Sequence, residues 1–254
     1  MKVTIVGSGT VVPRIERRQS CVVVECGGEM LALDLGDGAI RGMLHAGLDP
    51  LALDRIFLTH LHPDHTSDLI PLLFSINYSD PFTPRERLLT LAGAEPFAWF
   101  WRSISETYQG WTSGAYQQAL ELPVPCSASL HFRDYHIGWA PAKHRPESIA
   151  YRIEDNVSGN SLVYTGDTEY TESVSELARG AHTLIIECSF PDSSPVPGHL
   201  TPKGVSRIAR ESGVERVVLT HIFPPADELD LTSEVGRGFD GEVIVARDGL
   251  KLEV

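Results

Sequence analysis

Positive charge is scarce in this chain of 254 residues: 21 Lys and Arg stand against 34 Asp and Glu, a formal net charge of −13. So acidic a surface repels a phosphate backbone unless bound cations or a local basic patch reverse the sign, which disfavours extended nucleic acid as a partner. Cysteine is also sparse. The four (Cys21, Cys26, Cys126, Cys188) are scattered with no CxxC pair, indicating neither a zinc ribbon nor a disulfide framework and fitting a reducing cytoplasm. No run of about 18 apolar residues occurs, so no membrane span is expected. The opening MKVTIVGSGTVVP has too short an apolar stretch before Gly7 to read as a signal peptide. No Pro-, Gly- or Ser-rich linker, low-complexity tract or long repeat divides the chain, so one domain over residues 1–254 is expected. With 42% hydrophobic residues the chain can bury a full core, which excludes disorder.

What is present is a series of short apolar or alternating runs bounded by Gly, Pro or Asp. They predict strands at 2–6, 21–25, 30–34 and 55–60, the first three close enough to pair antiparallel. Helical patterns follow at 38–46 and 66–77. An irregular middle, 81–118, holds most of the aromatics and a helix around 95–108. Further strands are expected at 129–131, 135–141, 148–154 and 161–165, then helices at 171–178 and 202–211 alternating with apolar runs at 183–187 and 216–221. The tail, 241–254, reads as two short strands around Asp248-Gly249. Strands dominate each half and helices follow them, a pattern suited to two packed sheets with helices outside.

The informative segment is Thr59-His60-Leu61-His62-Pro63-Asp64-His65, directly after an apolar run. Positions two apart on an extended segment point the same way, so His60 and His62 can reach one ion together. Pro63 turns the chain, and Asp64 and His65 then aim at a neighbouring point. These four side chains exceed what one tetrahedral ion takes from so short a peptide, which favours two ions. Surface histidines or helix caps are the bland alternative. Other strand ends offer His144, Asp167 and His221, each a ligand-type residue just past a buried-looking run. Taken singly, each is equally consistent with a capping or solvated role.

The stretch THLHPDH resembles the HxHxDH signature of the metallo-β-lactamase superfamily. Asp34 in LALDLGDG, His144, Asp167 in YTGDT and His221 in LTHI follow in the family's order. The resemblance implies an α/β fold, a four-layer αββα sandwich with metals at one edge of the two sheets. Within the superfamily the chain is similar to ribonuclease Z and its smaller phosphodiesterase relatives. The GSGTVVP…RRQS opening, Gly198-His199-Leu200-Thr201 and Ile186-Glu187-Cys188-Ser189-Phe190 carry that likeness. By resemblance one ion takes His60, His62 and His144, the second takes Asp64, His65 and His221, and Asp167 bridges them beside a bridging hydroxide. Ligand types favour Zn²⁺, with Mn²⁺ or Fe also compatible.

Asp64, His199 and Glu187 are then the candidate catalytic set: His199 is expected to donate to the transition state and the leaving alkoxide, and Glu187 to accept from its other ring nitrogen. The alternative for Glu187 is a charge closing a strand at the surface. Asp34 orients a ligand histidine or starts the Gly36-Asp37-Gly38 turn, and both roles are compatible. Phe97, Trp99, Phe100, Trp101, Tyr108 and Trp111 cluster in the irregular middle, and on a helix the run Trp99–Trp101 cannot all face one core. Lys143, Arg145 and Lys203 flank the proposed site. His45, His131, His136 and His182 lack paired spacing and read as surface or structural. The chain departs from ribonuclease Z in two respects: only residues 145–165 connect His144 to Gly166, with no room for the long arm that grips tRNA, and the net negative charge argues against a large polyanion as substrate.

The expected function is a binuclear metal hydrolase of a small or cyclic nucleotide-like phosphodiester. The alternatives are a tRNA 3′-end endonuclease without its arm, a lactonase or thioesterase using the same hydroxide on a carbonyl, and a non-catalytic metal-binding scaffold. A homodimer is compatible with the family likeness and the surplus aromatics.

Overall fold

The computed structural model describes residues 1–79, 85–124 and 129–254; Cys126 and residues 81–84 of the middle segment lie outside the described residues. In chain order, β1 (Lys2–Gly7), β2 (Cys21–Cys26), β3 (Glu29–Leu33), β4 (Arg55–Phe57), β5 (Leu89–Ala94) and β6 (Gln117–Leu122) build one sheet. The second contains β7 (Ser129–His131), β8 (Tyr135–Pro141), β9 (Ile149–Asp155), β10 (Ser161–Tyr164), β11 (Thr183–Glu187), β12 (Arg216–Thr220) and β13 (Glu242–Val245). The final strand, β14 (Leu250–Glu253), returns to the first sheet and pairs antiparallel with β1. The two tail strands therefore belong to different sheets.

Each sheet is antiparallel on one side and parallel on the other. β1–β2–β3 pair antiparallel, as the close spacing of their turns predicts, and β3–β4–β5–β6 run parallel. β7 to β10 pair antiparallel, and β10 to β13 run parallel. Side chains alternate along each strand between two environments. Val22, Val24, Leu31 and Leu33 face Tyr151, Ile153, Leu162 and Tyr164 across the inter-sheet core. The intervening Val23 and Ala32 face helices Ala39–His45, Leu69–Tyr78 and Phe97–Thr107. In the second sheet Ile185 and Val218 point inward, while Leu184, Ile186, Val217 and Leu219 meet helices Glu172–Leu177, Pro202–Ser212 and Leu231–Gly236. Both faces are covered, which is why these strands read as near-continuous apolar runs. Each fully buried Val or Leu contributes about 1.5–3 kcal/mol to that packing. The result is a four-layer αββα sandwich. Among the described residues no helix is long and apolar enough to cross a membrane.

Three local expectations differ. The strand predicted over 55–60 ends at Phe57, because the Thr59 N–H goes to the Asp34 carboxylate (2.7 Å) instead of a neighbouring strand. The helix predicted over 66–77 divides into Pro63–Thr66 and Leu69–Tyr78. The Asp68 N–H, needed to continue the first turn, instead donates to Leu35 O (3.0 Å), and Leu35 N donates back to His65 O (2.7 Å). Gly36 permits this stitch: a Cβ there would lie 2.2 Å from the Asp64 carbonyl oxygen. Finally, the middle segment carries β5 and β6. Ala92, Gly93 and Ala94 have little strand propensity, and β5 holds its place through burial between its two parallel neighbours.

Candidate metal centre

The chain leaves the ordered strands at one edge of the sandwich, and the ligand-type side chains follow. His60 comes three residues after β4, Asp167 three after β10, His144 three after β8, and His221 directly after β12. His62, Asp64 and His65 follow His60 into the Pro63–Thr66 turn. The structure brings all seven together. His60, His62, His144 and Asp167 form one group whose ligand atoms lie within 4.8 Å of one another, and Asp64, His65 and His221 form a second. Asp167 stands between them. Its Oδ2 lies 3.8 Å from His60 Nε2 and 3.9 Å from His144 Nε2, whereas Oδ1 lies 3.3 Å from His65 Nε2 and 3.4 Å from His221 Nε2. His62 turns Nδ1 towards His144 Nε2 at 3.2 Å, and Asp64 Oδ2 is 3.4 Å from His221 Nε2.

The fit to cations rests on buried atoms without partners. Buried polar atoms are almost always hydrogen-bonded. His60 Nε2, His65 Nε2 and Asp167 Oδ1 are buried with no hydrogen-bond partner, and all three converge on this space. The opposite ring nitrogens are engaged: His60 Nδ1 by Thr59 Oγ1 (3.1 Å), His65 Nδ1 by Asp34 (2.7 Å), His144 Nδ1 by Gly198 O (2.9 Å) and His221 Nδ1 by Ser189 Oγ (3.1 Å). Partners of this kind fix the tautomer and leave Nε2 free to ligate. A set of imidazoles and carboxylates suits a divalent cation such as zinc.

Charge is strongly redistributed in the cluster. Burial and the neighbouring His65 push the His60 pKa well below the usual imidazole value, and burial with His144 lowers that of His62. Burial opposes a charge on His65, yet Asp167 and Asp34 hold its pKa well above the usual value. Burial likewise opposes the Asp167 carboxylate, but the charges of His221 and His65 keep its pKa well below the ordinary range.

Beside the cluster, His199 Nδ1 sits 3.2 Å from both oxygens of Glu187. Glu187 is fully buried, not a surface charge, and also accepts from the Thr168 and Leu200 N–H groups. Burial works against a charged His199, but its bond to Glu187 and the charges of Glu187 and Asp167 raise its pKa. Asp34 does more than begin a turn: fully buried, it accepts from Thr59 N, Thr59 Oγ1 and Tyr164 Oη (2.8 Å) and holds His65. Asp34 and His221 adopt positive φ, 59° and 49°. For non-glycine residues that conformation costs of order 1–3 kcal/mol and concentrates at functional sites.

Sequence reasoning missed several supporting groups. Ser189, Thr59 and Tyr164 hold site residues, and Glu169 accepts from Gly198 N (2.8 Å) while Gly198 O holds His144. The signal for Tyr164 was its inward register in β10; Ser189 left only its place two residues after Glu187. The rings against the cluster are Phe190 and Phe223, stacked 4.5 Å apart and 5.5 and 5.7 Å from the His199 ring. In the middle segment Phe97 is buried in the outer core, Trp99 is exposed, and Trp111 packs with Phe74 and Tyr78. The Lys143 ammonium is paired with Glu169 (2.7 Å), and Arg145 and Lys203 are exposed. Of the remaining histidines, His45 and His131 are exposed and His136 and His182 are half-buried, away from the ligand groups.

Residues 40–222 match the model of the beta-lactamase superfamily domain. The chain belongs to that superfamily. A ribonuclease Z of Haloferax volcanii is 27% identical over 312 aligned positions, covering all of this chain and 95% of that protein. The probable metallo-hydrolase YhfI of Bacillus subtilis is 28% identical over 255 positions, with 100% of both chains covered. The crystal structure of YhfI, a metallo-beta-lactamase fold protein, matches with a TM-score of 0.84 at 25% identity over 100% of this chain and 98% of that one. Human tRNase Z, short form, shares the fold, with a TM-score of 0.79 at 22% identity over 100% and 99%. As a member of this superfamily the chain is a metal-dependent hydrolase.

Proposed function

We propose that this chain is a binuclear phosphodiesterase acting on small or cyclic nucleotide-like phosphodiesters. The observation that carries the reading is Asp167, whose two oxygens face separate ligand groups while buried ring nitrogens on both sides lack partners. His60, His62 and His144 would hold one ion, Asp64, His65 and His221 the other, and Asp167 both, with Zn²⁺ favoured by the donor set. When bound, two such cations act as Lewis acids on phosphoryl oxygens and make a water acidic enough to deprotonate near neutral pH. The protein's own part is positioning and proton transfer. Glu187 engages His199 Nδ1, which leaves Nε2 to protonate the departing alkoxide. Thr59, Asp34, Gly198 and Ser189 orient the ligand rings. Phe190 and Phe223 offer an apolar wall beside the leaving group.

The ribonuclease Z relatives support a second reading, cleavage at a tRNA 3′ end. Two features weigh against it. The alignment with the Haloferax protein runs over 312 positions against 255 for YhfI, and in this chain only residues 156–160 lie between β9 and β10. The net charge of −13 opposes a long polyanion. Metal-loaded protein tested on bis(p-nitrophenyl) phosphate, cyclic nucleotides, precursor tRNA and carbonyl esters separates the readings. Turnover of small diesters with poor tRNA processing is expected. Efficient site-specific tRNA cutting, or lactone or thioester hydrolysis without diester turnover, would overturn the proposal.

A further inference from the structure

Ser189 is fully buried between the second ligand group and the His199–Glu187 pair. Its Oγ lies 3.1 Å from His221 Nδ1, lies 2.8 Å from His221 O, and is hydrogen-bonded to Glu187 Oε2. A hydroxyl carries one proton and can accept through its lone pairs. With Nε2, which faces Asp64 and Asp167, given over to the second ion, a neutral His221 ring would keep its proton on Nδ1 and donate it to Ser189 Oγ. The hydroxyl proton is then left for Glu187 Oε2 or the His221 carbonyl. Either way the hydroxyl ties His221 to its own loop and to the carboxylate that holds His199. The supports of the other rings, Thr59, Asp34 and the Gly198 carbonyl, each hold one histidine, and among the described residues none of their hydrogen bonds reaches Glu187.

We infer that Ser189 is a positioning residue that couples occupancy of the second ion site to placement of the His199–Glu187 pair. The inference rests on the binuclear reading above. Because Glu187 also accepts from the Thr168 and Leu200 N–H groups, losing the hydroxyl loosens the pair without releasing it. The effect is therefore graded.

The test compares Ser189→Ala with Ser189→Thr and Ser189→Val in the full chain; the last two match in shape and differ in the hydroxyl. Zn²⁺ stoichiometry and affinity are read by chelator competition without substrate, and kcat and KM on bis(p-nitrophenyl) phosphate at saturating Zn²⁺. Ser189→Ala and Ser189→Val should keep one ion at wild-type affinity and bind the other about 10–100-fold more weakly. They should also lose kcat at unchanged KM, and Ser189→Thr should restore both properties. Equal behaviour of the Thr and Val variants, or two ions held at wild-type affinity by Ser189→Ala, would overturn the inference; should Ser189→Ala not fold, the Thr and Val pair decides alone. Failure of the binuclear reading shows separately, as wild-type protein that binds fewer than two ions or leaves the diester intact.

Discussion

His199 is the residue at which the geometry allows two roles with different outcomes. Its Nδ1 is 3.2 Å from both Glu187 oxygens, yet His199 also forms a ligand-competent group with Asp167 and His221. The same Nδ1 lies 3.9 Å from Asp167 Oδ2, and its shorter contacts with Glu187 favour proton donation over ligation. His199→Ala should therefore lower diester turnover by about 10²–10⁴-fold, the usual size of a general acid's contribution. Elemental analysis should still find both ions; loss of one would make His199 a ligand instead. Gly198, next in the chain, is constrained for another reason. Its φ is +88°, and a Cβ would sit 2.7 Å from His144 Nδ1, inside the bond that orients that ring. Gly198→Ala should destabilise the fold by about 1–3 kcal/mol and weaken the ion held by His144 about 10–100-fold. Thermal melts and chelator competition check the two effects. The candidate ligands were legible because their spacing reports strand ends; Gly198 was not, since its constraint comes from a histidine 54 positions away.

At the scale of elements, the loops escaped the sequence along with β5 and β6, and the N-terminal loop shows why. Arg17 is buried and donates to Asp227, Ser8 Oγ and Ala246 O, while Arg14 also reaches Asp227 (2.8 Å). Ser8 O in turn accepts from Ile222 N, beside His221. Residues 8–20 are thus fastened to the helix Pro224–Asp227 by partners more than 200 positions distant, which no local pattern announces. The same holds for the break at Ser67 and Asp68, imposed by Leu35. Helices with one apolar stripe and most strands with two buried faces were readable from apolar runs bounded by Gly, Pro or Asp, whereas β5, with Ala92, Gly93 and Ala94, was not. The Arg17 bond, against the cost of burial, and the Arg14 bond hold the Asp227 pKa below the ordinary carboxylate value. A depressed folded pKa stabilises the native state above the unfolded value of about 3.9 and ceases to do so as pH falls through the folded value. The melting-temperature deficit of Asp227→Asn relative to wild type should therefore be full at pH 7 and shrink below about pH 4. A deficit constant from pH 7 to pH 3 would show that the pairing carries no net charge stabilisation.

The whole molecule sets an acidic body around a site proposed for an anionic substrate. Its layers were legible because each half repeats strands followed by helices; the return of β14 to the first sheet was not, because the alternation of Leu250–Glu253 names no partner. Two divalent cations offset only part of the −13 formal charge, so the field beyond the site remains repulsive to a phosphodiester. Salt screens that repulsion, with a Debye length of about 30 Å at 0.01 M and 10 Å at 0.1 M. At saturating metal, kcat/KM for bis(p-nitrophenyl) phosphate should rise between those ionic strengths. A neutral carbonyl ester, were it turned over, should show no such rise. A protein built to grip tRNA behaves oppositely, since each phosphate contact releases counterions and added salt weakens binding. The slope of kcat/KM against salt thus reads the sign of the field at the reacting centre, and a steep fall for the small diester would mean that a local basic surface outweighs the acidic body.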